Sequence, residues 1–339
     1  MYLLLTNTKT MKKARIMLKG ITTLSVLLFM AGVLSAQSLS DAINEYNQGA
    51  QTLKTDPELA AMHFEKCIKI ADQLGAEGSD TRDKAVAALA RIPGVYFSQA
   101  MAHYRERDFD SAIQAFEKAE ETASKYGEEE TGRKARAAIP QLYYAKGIEL
   151  YKKKDFEGAI PLFDKALELN PNYGKAYLAR GLAYKGLNDL EKMKESMDQA
   201  MAVSAGRDAE TMREAEEAVR NSYYNAGVIA LQNEAYSEAE AYFDVSIEYG
   251  NNDPDIFLKL GEINNELGNA DKAIQYLERG IGLSADDAAA RAGFYYHMGN
   301  AYQAKGDKTK ACEAYRKAMH GPYLENAKYQ VENVLKCDG

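Results

Sequence analysis

Tryptophan is absent from the sequence, and proline, histidine and cysteine are scarce, with 7, 4 and 3 residues among 339. The few prolines leave long uninterrupted stretches in which helices can form. Aromatic packing must come from the 23 tyrosines and 10 phenylalanines. A composition that is 46% hydrophobic and 27% charged is that of a foldable chain and not of a disordered one. These figures predict long helices that pack through aromatic side chains.

Motifs of the common catalytic and cofactor-binding sites are missing as well. The sequence has no phosphate-binding G-x-x-x-x-G-K-[ST] loop, no dinucleotide-binding glycine fingerprint and no G-x-S-x-G motif. Its four histidines stand in no spacing typical of metal ligands, and no cluster of cysteines or carboxylates joins them. They are His63, His103, His297 and His320. We therefore expect no enzyme activity, no cofactor and no metal site.

A surplus of positive charge is also missing. The formal net charge is −8, and residues 1–36 contribute five basic residues and no acidic one, so the rest of the chain carries −13. An acidic surface repels phosphate groups and offers no basic stripe that could release counterions from a nucleic acid. We expect neither nucleic acid nor anionic lipid as a partner.

No apolar run is as long as the ~20 residues that a membrane-spanning helix needs. The longest one, over residues 21–33, follows a basic segment from Lys12 to Lys19 and precedes Leu34-Ser35-Ala36, where a peptidase could cut before Gln37. These are the three parts of a secretory signal peptide, predicted over residues 1–36. Cleavage is favoured over a membrane anchor and would leave no stable membrane span. We expect an exported protein of the periplasm or the periplasm-facing envelope, or a secreted one.

The three cysteines, Cys67, Cys312 and Cys337, form no C-x-x-C pair. Export would permit a disulfide bond, and Cys312 with Cys337 is the plausible local pair. If two straight antiparallel helices turned near Gly321, however, Cys312 would face a residue near position 330, about 10 Å short of Cys337. The interpretation favoured here is a free buried thiol at Cys67 and at Cys312.

A helical hairpin is predicted most clearly over residues 143–171. Large Tyr143 shares a helix face with small Gly147, and on a second helix small Ala159 shares a face with large Phe163. Asp155 lies between the two stretches, where it can cap the second helix. Small residues at the crossing should let the two antiparallel helices approach closely.

The same pattern of small and aromatic residues returns along the chain. It recurs over residues 96–119, 177–200, 223–247, 257–281 and 295–319, and in a weaker form from Gly49 to Cys67. It resembles the tetratricopeptide repeat, a 34-residue helix–turn–helix unit. Matching signature residues in the clearest unit are Tyr143, Gly147, Ala159, Phe163, Ala166 and Pro171.

The resemblance implies an all-α fold, a right-handed α-solenoid of about seven helix–turn–helix repeats with a C-terminal capping helix. The solenoid would span residues 37–339, with the capping helix over 322–337. The expected repeat units lie near residues 41–74, 93–126, 140–173, 174–207, 220–253, 254–287 and 292–321.

The spacing of the repeats departs from the family at two places. Gly147 and Gly181 are 34 residues apart, as are Gly227 and Gly261, but Ala100 precedes Gly147 by 47 and Gly181 precedes Gly227 by 46. Strong helix formers occupy residues 82–91, 132–138 and 208–220, ahead of three of the units. We expect lengthened first helices there, with a kink or a break near Pro93 and Pro140.

In members of the family, the residues one, five and eight positions after the aromatic residue face the concave groove. Carried over by position, this implies a groove wall that is almost entirely apolar or aromatic, followed by a more polar end. The wall residues are Phe97, Met101, Tyr104, Tyr144, Ile148, Tyr151, Leu178, Leu182, Tyr224, Val228 and Leu231, and the charged exception among these positions is Lys185. The polar end comprises Leu258, Glu262, Asn265, Tyr296, Asn300 and Gln303. The Lys and Asn clamp with which some relatives hold a C-terminal carboxylate is missing from the wall.

The sequence thus favours a non-catalytic protein–protein interaction scaffold or adaptor in the bacterial cell envelope. It would bind an apolar or aromatic segment of a protein in its concave groove, and a protein of a secretion or assembly system is the expected partner. Two alternatives stay open, a holdase-like carrier of exported proteins and a module that binds glycans or small molecules. A further alternative is that the wall packs internally and leaves no open groove.

Overall fold

The computed structural model describes residues 38–337, and every regular element over that range is a helix. The predicted signal peptide, residues 1–36, lies outside the described residues. The chain divides into two compact units, with the boundary between Ile139 and Pro140. Each unit is a stack of helical hairpins, built from consecutive helices that short turns join and that pack on each other.

The first unit contains two hairpins and an additional helix between them. Helices α1 and α2 form one hairpin, α4 and α5 form the other, and α3 packs on α2. The bounds are α1 Leu39–Thr52, α2 Pro57–Leu74, α3 Ser79–Leu89, α4 Ile92–Arg105 and α5 Phe109–Tyr126. Helix α6, Glu129–Lys152, begins in this unit and ends in the second.

The second unit continues with hairpins that repeat the same plan. Its helices after α6 are α7 Phe156–Leu169, α8 Gly174–Gly186, α9 Leu190–Ser204, α10 Ala209–Gln232, α11 Tyr236–Glu248, α12 Pro254–Glu266, α13 Ala270–Leu283, α14 Ala288–Ala304 and α15 Lys308–Lys317. A 3₁₀ turn at Gly321–Tyr323, helix α16 at Leu324–Tyr329 and a π-helical turn at Gln330–Val334 end the described chain.

Two residues form the turn inside a hairpin, one through its backbone conformation and the other through its side chain. Before α7, Lys154 adopts a left-handed conformation, with φ of 63°, which reverses the chain. Asp155 follows, and its Oδ1 accepts a hydrogen bond from the backbone N–H of Gly158 at 2.9 Å. The carboxylate satisfies a backbone donor that the first helical turn would leave unpaired. Asp155 is the helix cap that the sequence predicts.

The close crossing predicted inside each repeat is also present. A Cβ atom at Gly147 would lie 2.6 Å from Cε1 of Phe163, and one at Gly227 would lie 2.7 Å from a ring carbon of Phe243. Such distances leave no room for a side chain. At these two crossings the phenylalanine of the second helix therefore packs directly on the backbone of the first helix, and Phe163 and Phe243 are fully buried. Met197, Leu277 and Tyr315 take the same place in later repeats.

The predicted lengthening of the first helices is confirmed at two of the three places. Helices α6 and α10 are each 24 residues long, and α6 contains Pro140 in its interior. Ahead of the 93–126 unit the extra residues form the separate helix α3 instead. The next helix begins at Ile92 with Pro93 in its first turn, where the missing proline N–H costs no hydrogen bond.

The expectation of a free thiol at Cys312 is wrong, because Cys312 forms a disulfide bond with Cys337, at a Cα–Cα distance of 5.9 Å. The expectation assumed one straight helix after a turn at Gly321. Helix α16 begins only at Leu324, continues into a wide π-helical turn and ends before Lys336, whose φ of 47° turns the chain back. Cys67 is free and buried, as expected.

Candidate functional site

The predicted wall residues lie on four first helices, in two separate units. Helix α4 in the first unit carries Phe97, Met101 and Tyr104. The remaining wall residues belong to α6, α8 and α10 in the second unit, at positions from 144 to 231. All of them except Leu178 keep part of their surface exposed.

The wall residues of α4 pack on the second helix of their own hairpin. The ring of Phe97 meets the ring of Phe116 edge to face, at 5.1 Å between centroids. Tyr104 contacts Phe109 at 6.2 Å and is still 43% exposed. The apolar side chains of α4 are thus anchored on one side and open on the other.

On α6 the aromatic residues are held in the same way. Tyr144 lies between Phe163 and Tyr173, with ring centroids 6.0 and 5.1 Å away, and Tyr151 lies 5.4 Å from Phe156. Burial, and to a smaller degree the Glu214 carboxylate, raises the pKa of Tyr144. Tyr173 was not predicted as part of the wall. It is the residue directly before α8, at the junction with the next repeat, so its contact with Tyr144 was not evident from the repeat pattern.

Leu178 on α8 belongs to the core and not to an open surface, since it is only 8% exposed. It packs in one cluster with Met197 of α9 and with Ala215 and Val219 of α10. Ala215 and Val219 stand in the part of α10 that lengthens this helix beyond the family pattern. The lengthened helix therefore covers a position that the plain repeat would leave in the groove.

The wall of α10 is anchored by packing and by one hydrogen bond. Tyr224 packs on Phe243 at 5.8 Å, and its hydroxyl donates a hydrogen bond to Oδ2 of Asp255 at 2.9 Å. Burial and this hydrogen bond raise the pKa of Tyr224 to about 12. Val228 and Leu231 are half-buried against the same core cluster. The side chains are therefore fixed in place before any ligand is bound.

The polar end uses most of its polar groups internally. Nδ2 of Asn265 donates to the backbone oxygen of His297 at 2.9 Å. The hydroxyl of Tyr315 lies 2.7 Å from Oδ1 of Asn300 and 2.9 Å from Oε1 of Gln303. Tyr296 is covered by Tyr323 of the chain's end, at 5.3 Å between ring centroids.

Two of the histidines also have internal partners. Nδ1 of His63 lies 2.7 Å from a carboxylate oxygen of Glu45. His297 contacts the rings of Tyr296 and Tyr323, and its burial lowers its pKa to about 4. Over residues 38–337 no three histidines, cysteines or carboxylates are grouped so that they could hold a metal ion. None of the helices in this range is long and apolar enough to cross a membrane.

Several solved structures are similar to this chain. YrrB, a TPR protein with an unusual peptide-binding site, is 22% identical over 55% of this chain and 90% of its own, with a TM-score of 0.30. The TPR2AB domain of yeast Sti1 in a pHSP90 complex is 17% identical over 72% of this chain and 96% of its own, with a TM-score of 0.29. The TPR domain of P58(IPK) is 15% identical over 86% of this chain and 79% of its own, with a TM-score of 0.31. No curated protein matches the chain.

Models of the tetratricopeptide repeat match the sequence at several places. The matched residues are 93–126, 140–173, 162–195, 224–289 and 292–319, which together make up more than half of the chain. The crossings of Gly147 with Phe163 and of Gly227 with Phe243 lie within these segments, whereas the hairpin of α1 and α2 lies outside them. The all-α fold is that of a tetratricopeptide-repeat solenoid, and proteins with this fold are in general non-catalytic interaction modules. This chain belongs to the tetratricopeptide repeat family.

Proposed function

We propose that this protein is a non-catalytic scaffold of the bacterial cell envelope that binds an apolar or aromatic segment of a partner protein. Its repeats make it a protein–protein interaction scaffold. The envelope location and the chemistry of the bound segment are the proposed parts. A partner from a secretion or assembly system fits both.

The observation that carries the proposal is the series of half-buried apolar side chains on α6, α8 and α10. Tyr151, Leu182 and Val228 each contact the core on one side and solvent on the other. Rings and branched chains that are already held in place lose little conformational freedom when a ligand covers them. They are therefore suited to bind apolar surface.

The binding free energy that such contacts can supply is sufficient for a specific complex. Burial of one aromatic ligand side chain removes ~150–250 Å² from water. At ~25 cal/mol per Å² this is worth up to ~4–6 kcal/mol. Three such contacts would exceed the ~8 kcal/mol of a micromolar complex after the costs of association are subtracted.

Two features support a location in the cell envelope. The sequence begins with the predicted signal peptide, and the described chain contains the Cys312–Cys337 disulfide bond. Structural disulfide bonds form and persist in oxidising compartments such as the periplasm. We expect the protein purified from its own envelope to begin at Gln37, as determined by N-terminal sequencing. A chain that retains residues 1–36 in the membrane fraction would contradict export by cleavage.

Affinity capture from envelope extract tests the binding surface. The variant Tyr151→Ser/Val228→Ser removes two exposed apolar surfaces from the wall. The control Leu169→Ser removes a similar surface from a second helix, where Leu169 is 46% exposed. We expect one stoichiometric partner with the wild type and the control, and none with the double variant.

Thermal unfolding must accompany this capture, because the wall residues also contact the core. The double variant should remain folded at the temperature of the capture, so that loss of binding is not loss of structure. Retention of the partner by a folded double variant would contradict the proposed surface. Capture of many unfolded proteins in place of one partner would indicate the holdase-like carrier.

A further inference from the structure

The C-terminal segment, residues 321–337, contacts both helices of the last repeat in different ways. Its later part, with Ala327 and Val331, packs on α15, the second helix, and covers apolar side chains there. Its start carries Tyr323, whose side chain lies on α14, the first helix. First helices form the groove of a tetratricopeptide-repeat solenoid. The segment therefore covers the second helix and also places one side chain at the groove.

Tyr323 lies at groove positions of two consecutive first helices. On α14, its ring is 5.3 Å from the ring of Tyr296 and 6.2 Å from the ring of His297. On α12, the carboxylates of Glu262 and Asp255 are close enough to act on its hydroxyl. Burial raises the pKa of Tyr323 most, and Glu262, Tyr296 and Asp255 raise this pKa further. The side chain of Tyr323 thus occupies the polar end as a side chain of a bound ligand would.

The place that Tyr323 fills is shaped for an aromatic ring with a hydroxyl. A Cβ atom at Gly293 would lie 3.1 Å from both Cε2 and the hydroxyl oxygen of Tyr323, so the ring edge rests directly on the backbone of α14. The carboxylate of Glu262 is exposed and can accept a hydrogen bond from a phenol. The tyrosine subsite, as we name this place, comprises Gly293, Tyr296 and His297 of α14 and Glu262 of α12.

Few contacts other than the disulfide bond hold the C-terminal segment in its closed position. Three of its larger side chains are exposed, Leu324 by 41%, Tyr329 by 59% and Val334 by 44%. Oε1 of Gln330 is buried without a hydrogen-bond partner among the described residues, which disfavours the closed position. The segment is fixed at one end by its connection to α15 and at the other by Cys337. When the disulfide bond is open, only the first attachment remains.

We propose that the tyrosine subsite binds a tyrosine side chain of the partner protein, and that Tyr323 of the chain itself fills the subsite until the C-terminal segment is displaced. This inference rests on the function proposed above and extends its binding surface from the wall to the polar end. The disulfide bond controls the exchange, because a segment that is fixed at both ends competes more strongly than one that is free to swing away.

A dithiol can open the bond by thiol–disulfide exchange. Its thiolate attacks the sulfur of Cys337, which is half-buried, whereas Cys312 is only 6% exposed. Two electrons and two protons pass from the dithiol to the two cysteines, which become thiols, and the dithiol becomes a disulfide. Tyr323 can then leave the subsite together with the segment.

A fluorescent peptide with the sequence of residues 319–328 is the probe, and a second peptide has alanine in place of Tyr323. Both are titrated by fluorescence anisotropy into the oxidised wild type and into Cys312→Ser/Cys337→Ser/Tyr323→Ala, in which no tyrosine competes. We expect the triple variant to bind the tyrosine peptide at least about tenfold more tightly than the wild type does, and at least about tenfold more tightly than it binds the alanine peptide.

Three results of this titration would overturn the proposal. Equal binding of the two peptides, or no binding to the triple variant, would show that the subsite does not take a tyrosine. Equal binding by the wild type and the triple variant would show that Tyr323 does not block it.

A second measurement covers the case that the triple variant does not fold. Tyr323→Ala keeps the disulfide bond, and Tyr329→Ala is the matched control because Tyr329 is an exposed tyrosine of the same segment. Nitration by tetranitromethane, located by mass spectrometry, reports access to Tyr296. We expect faster nitration of Tyr296 in Tyr323→Ala than in the wild type and an unchanged rate in Tyr329→Ala. Equal rates in all three proteins would overturn occupancy of the subsite by Tyr323.

Failure of this inference differs from failure of the proposed function, because the peptide titration does not involve Tyr151 or Val228. Affinity for the partner captured from envelope extract should rise when dithiothreitol reduces the wild type. An affinity that does not change on reduction would overturn the use of the subsite by that partner. Dimers of Cys312→Ser/Cys337→Ser in light scattering, lost in the triple variant, would make a second copy of this chain the occupant and overturn the assignment to a different protein.

Discussion

The wall and the polar end of the second unit occupy equivalent positions on first helices, yet the structure uses them differently. In the wall, Tyr151 and Tyr224 rest on the second helices and keep part of their surface exposed. At the polar end, Asn265 and Asn300 bond to other parts of the chain, and Tyr323 covers Tyr296. Equivalent helix positions therefore do not mean equivalent availability to a ligand.

Part of the difference comes from the segment after α15, which packs on the repeat that precedes it. Ala311, Tyr315 and Ala318 of that repeat would otherwise be exposed, and they pack against Ala327 and Val331 of the chain's end. The disulfide bond from Cys312 to Cys337 fixes this end on α15. The C-terminal segment thus has the role of a solenoid cap, and it also reaches one of the groove positions.

The largest effect on stability is expected from a pair of substitutions in α8, one at a core position and one at a wall position. Leu178→Ala should cost about 3 kcal/mol of unfolding free energy, because it leaves a cavity among Met197, Val219 and their neighbours. Leu182→Ala, one turn further along, should cost about 1 kcal/mol, since Leu182 is only half-buried. Urea unfolding of both variants measures the difference. Equal losses of unfolding free energy would mean that α10 covers Leu178 no more than it covers Leu182.

The second effect on stability is expected from the disulfide bond that holds the C-terminal segment on α15. Cys312→Ser/Cys337→Ser removes a bond between residues 25 positions apart, which should cost about 3 kcal/mol in the chain-entropy account. The loss should be concentrated near the chain's end, because repeat proteins can open locally. We expect faster hydrogen exchange over residues 321–337 and little change in α10. Unchanged exchange over residues 321–337 would show that packing alone holds the cap.

The repeats could be predicted from the sequence because their determinants are local. Gly147 and Phe163 are 16 positions apart, and the four later hairpins repeat that spacing from a glycine to a large residue. The burial of Leu178 could not be predicted in this way, since it depends on Val219 in a segment outside the repeat pattern. The pairing of Cys337 depends on a π-helical turn and on the left-handed Lys336, which displace the chain by a few residues. Such details follow from the packing of the finished chain and not from periodicity.

Two buried serines, Ser222 on α10 and Ser246 on α11, show the same limit. Nothing in the sequence distinguishes Ser222 from Ser246, because both are small polar residues inside helices. Only their bonding differs: Oγ of Ser246 donates to the backbone oxygen of Arg220, whereas Oγ of Ser222 has no hydrogen-bond partner among the described residues. The groove positions could be carried over from the family, whereas the bonding of these hydroxyls required the structure.

The third expected effect is a loss of stability at acidic pH. It should occur at the polar end and not at the apolar wall. Burial lowers the pKa of His297 from 6.5 to about 4, because the charged imidazolium would lose its hydration among Tyr296 and Tyr323. The stability that depends on neutral His297 is complete above pH 6.5, decreases progressively as the pH falls from 6.5 to 4, and is fully lost below pH 4. The loss should reach roughly 2 kcal/mol at pH 5.

The variant His297→Phe isolates this contribution, since it keeps a ring in the same place and cannot be protonated. We expect its unfolding free energy to depend less on pH between 6.5 and 4 than that of the wild type. His320→Gln is the control, because His320 is exposed and its replacement should leave the wild-type pH dependence in place. A wild-type profile retained by His297→Phe would mean that His297 is accessible to water when folded. The polar end would then be as open as the wall, and the contrast between the two regions would not hold.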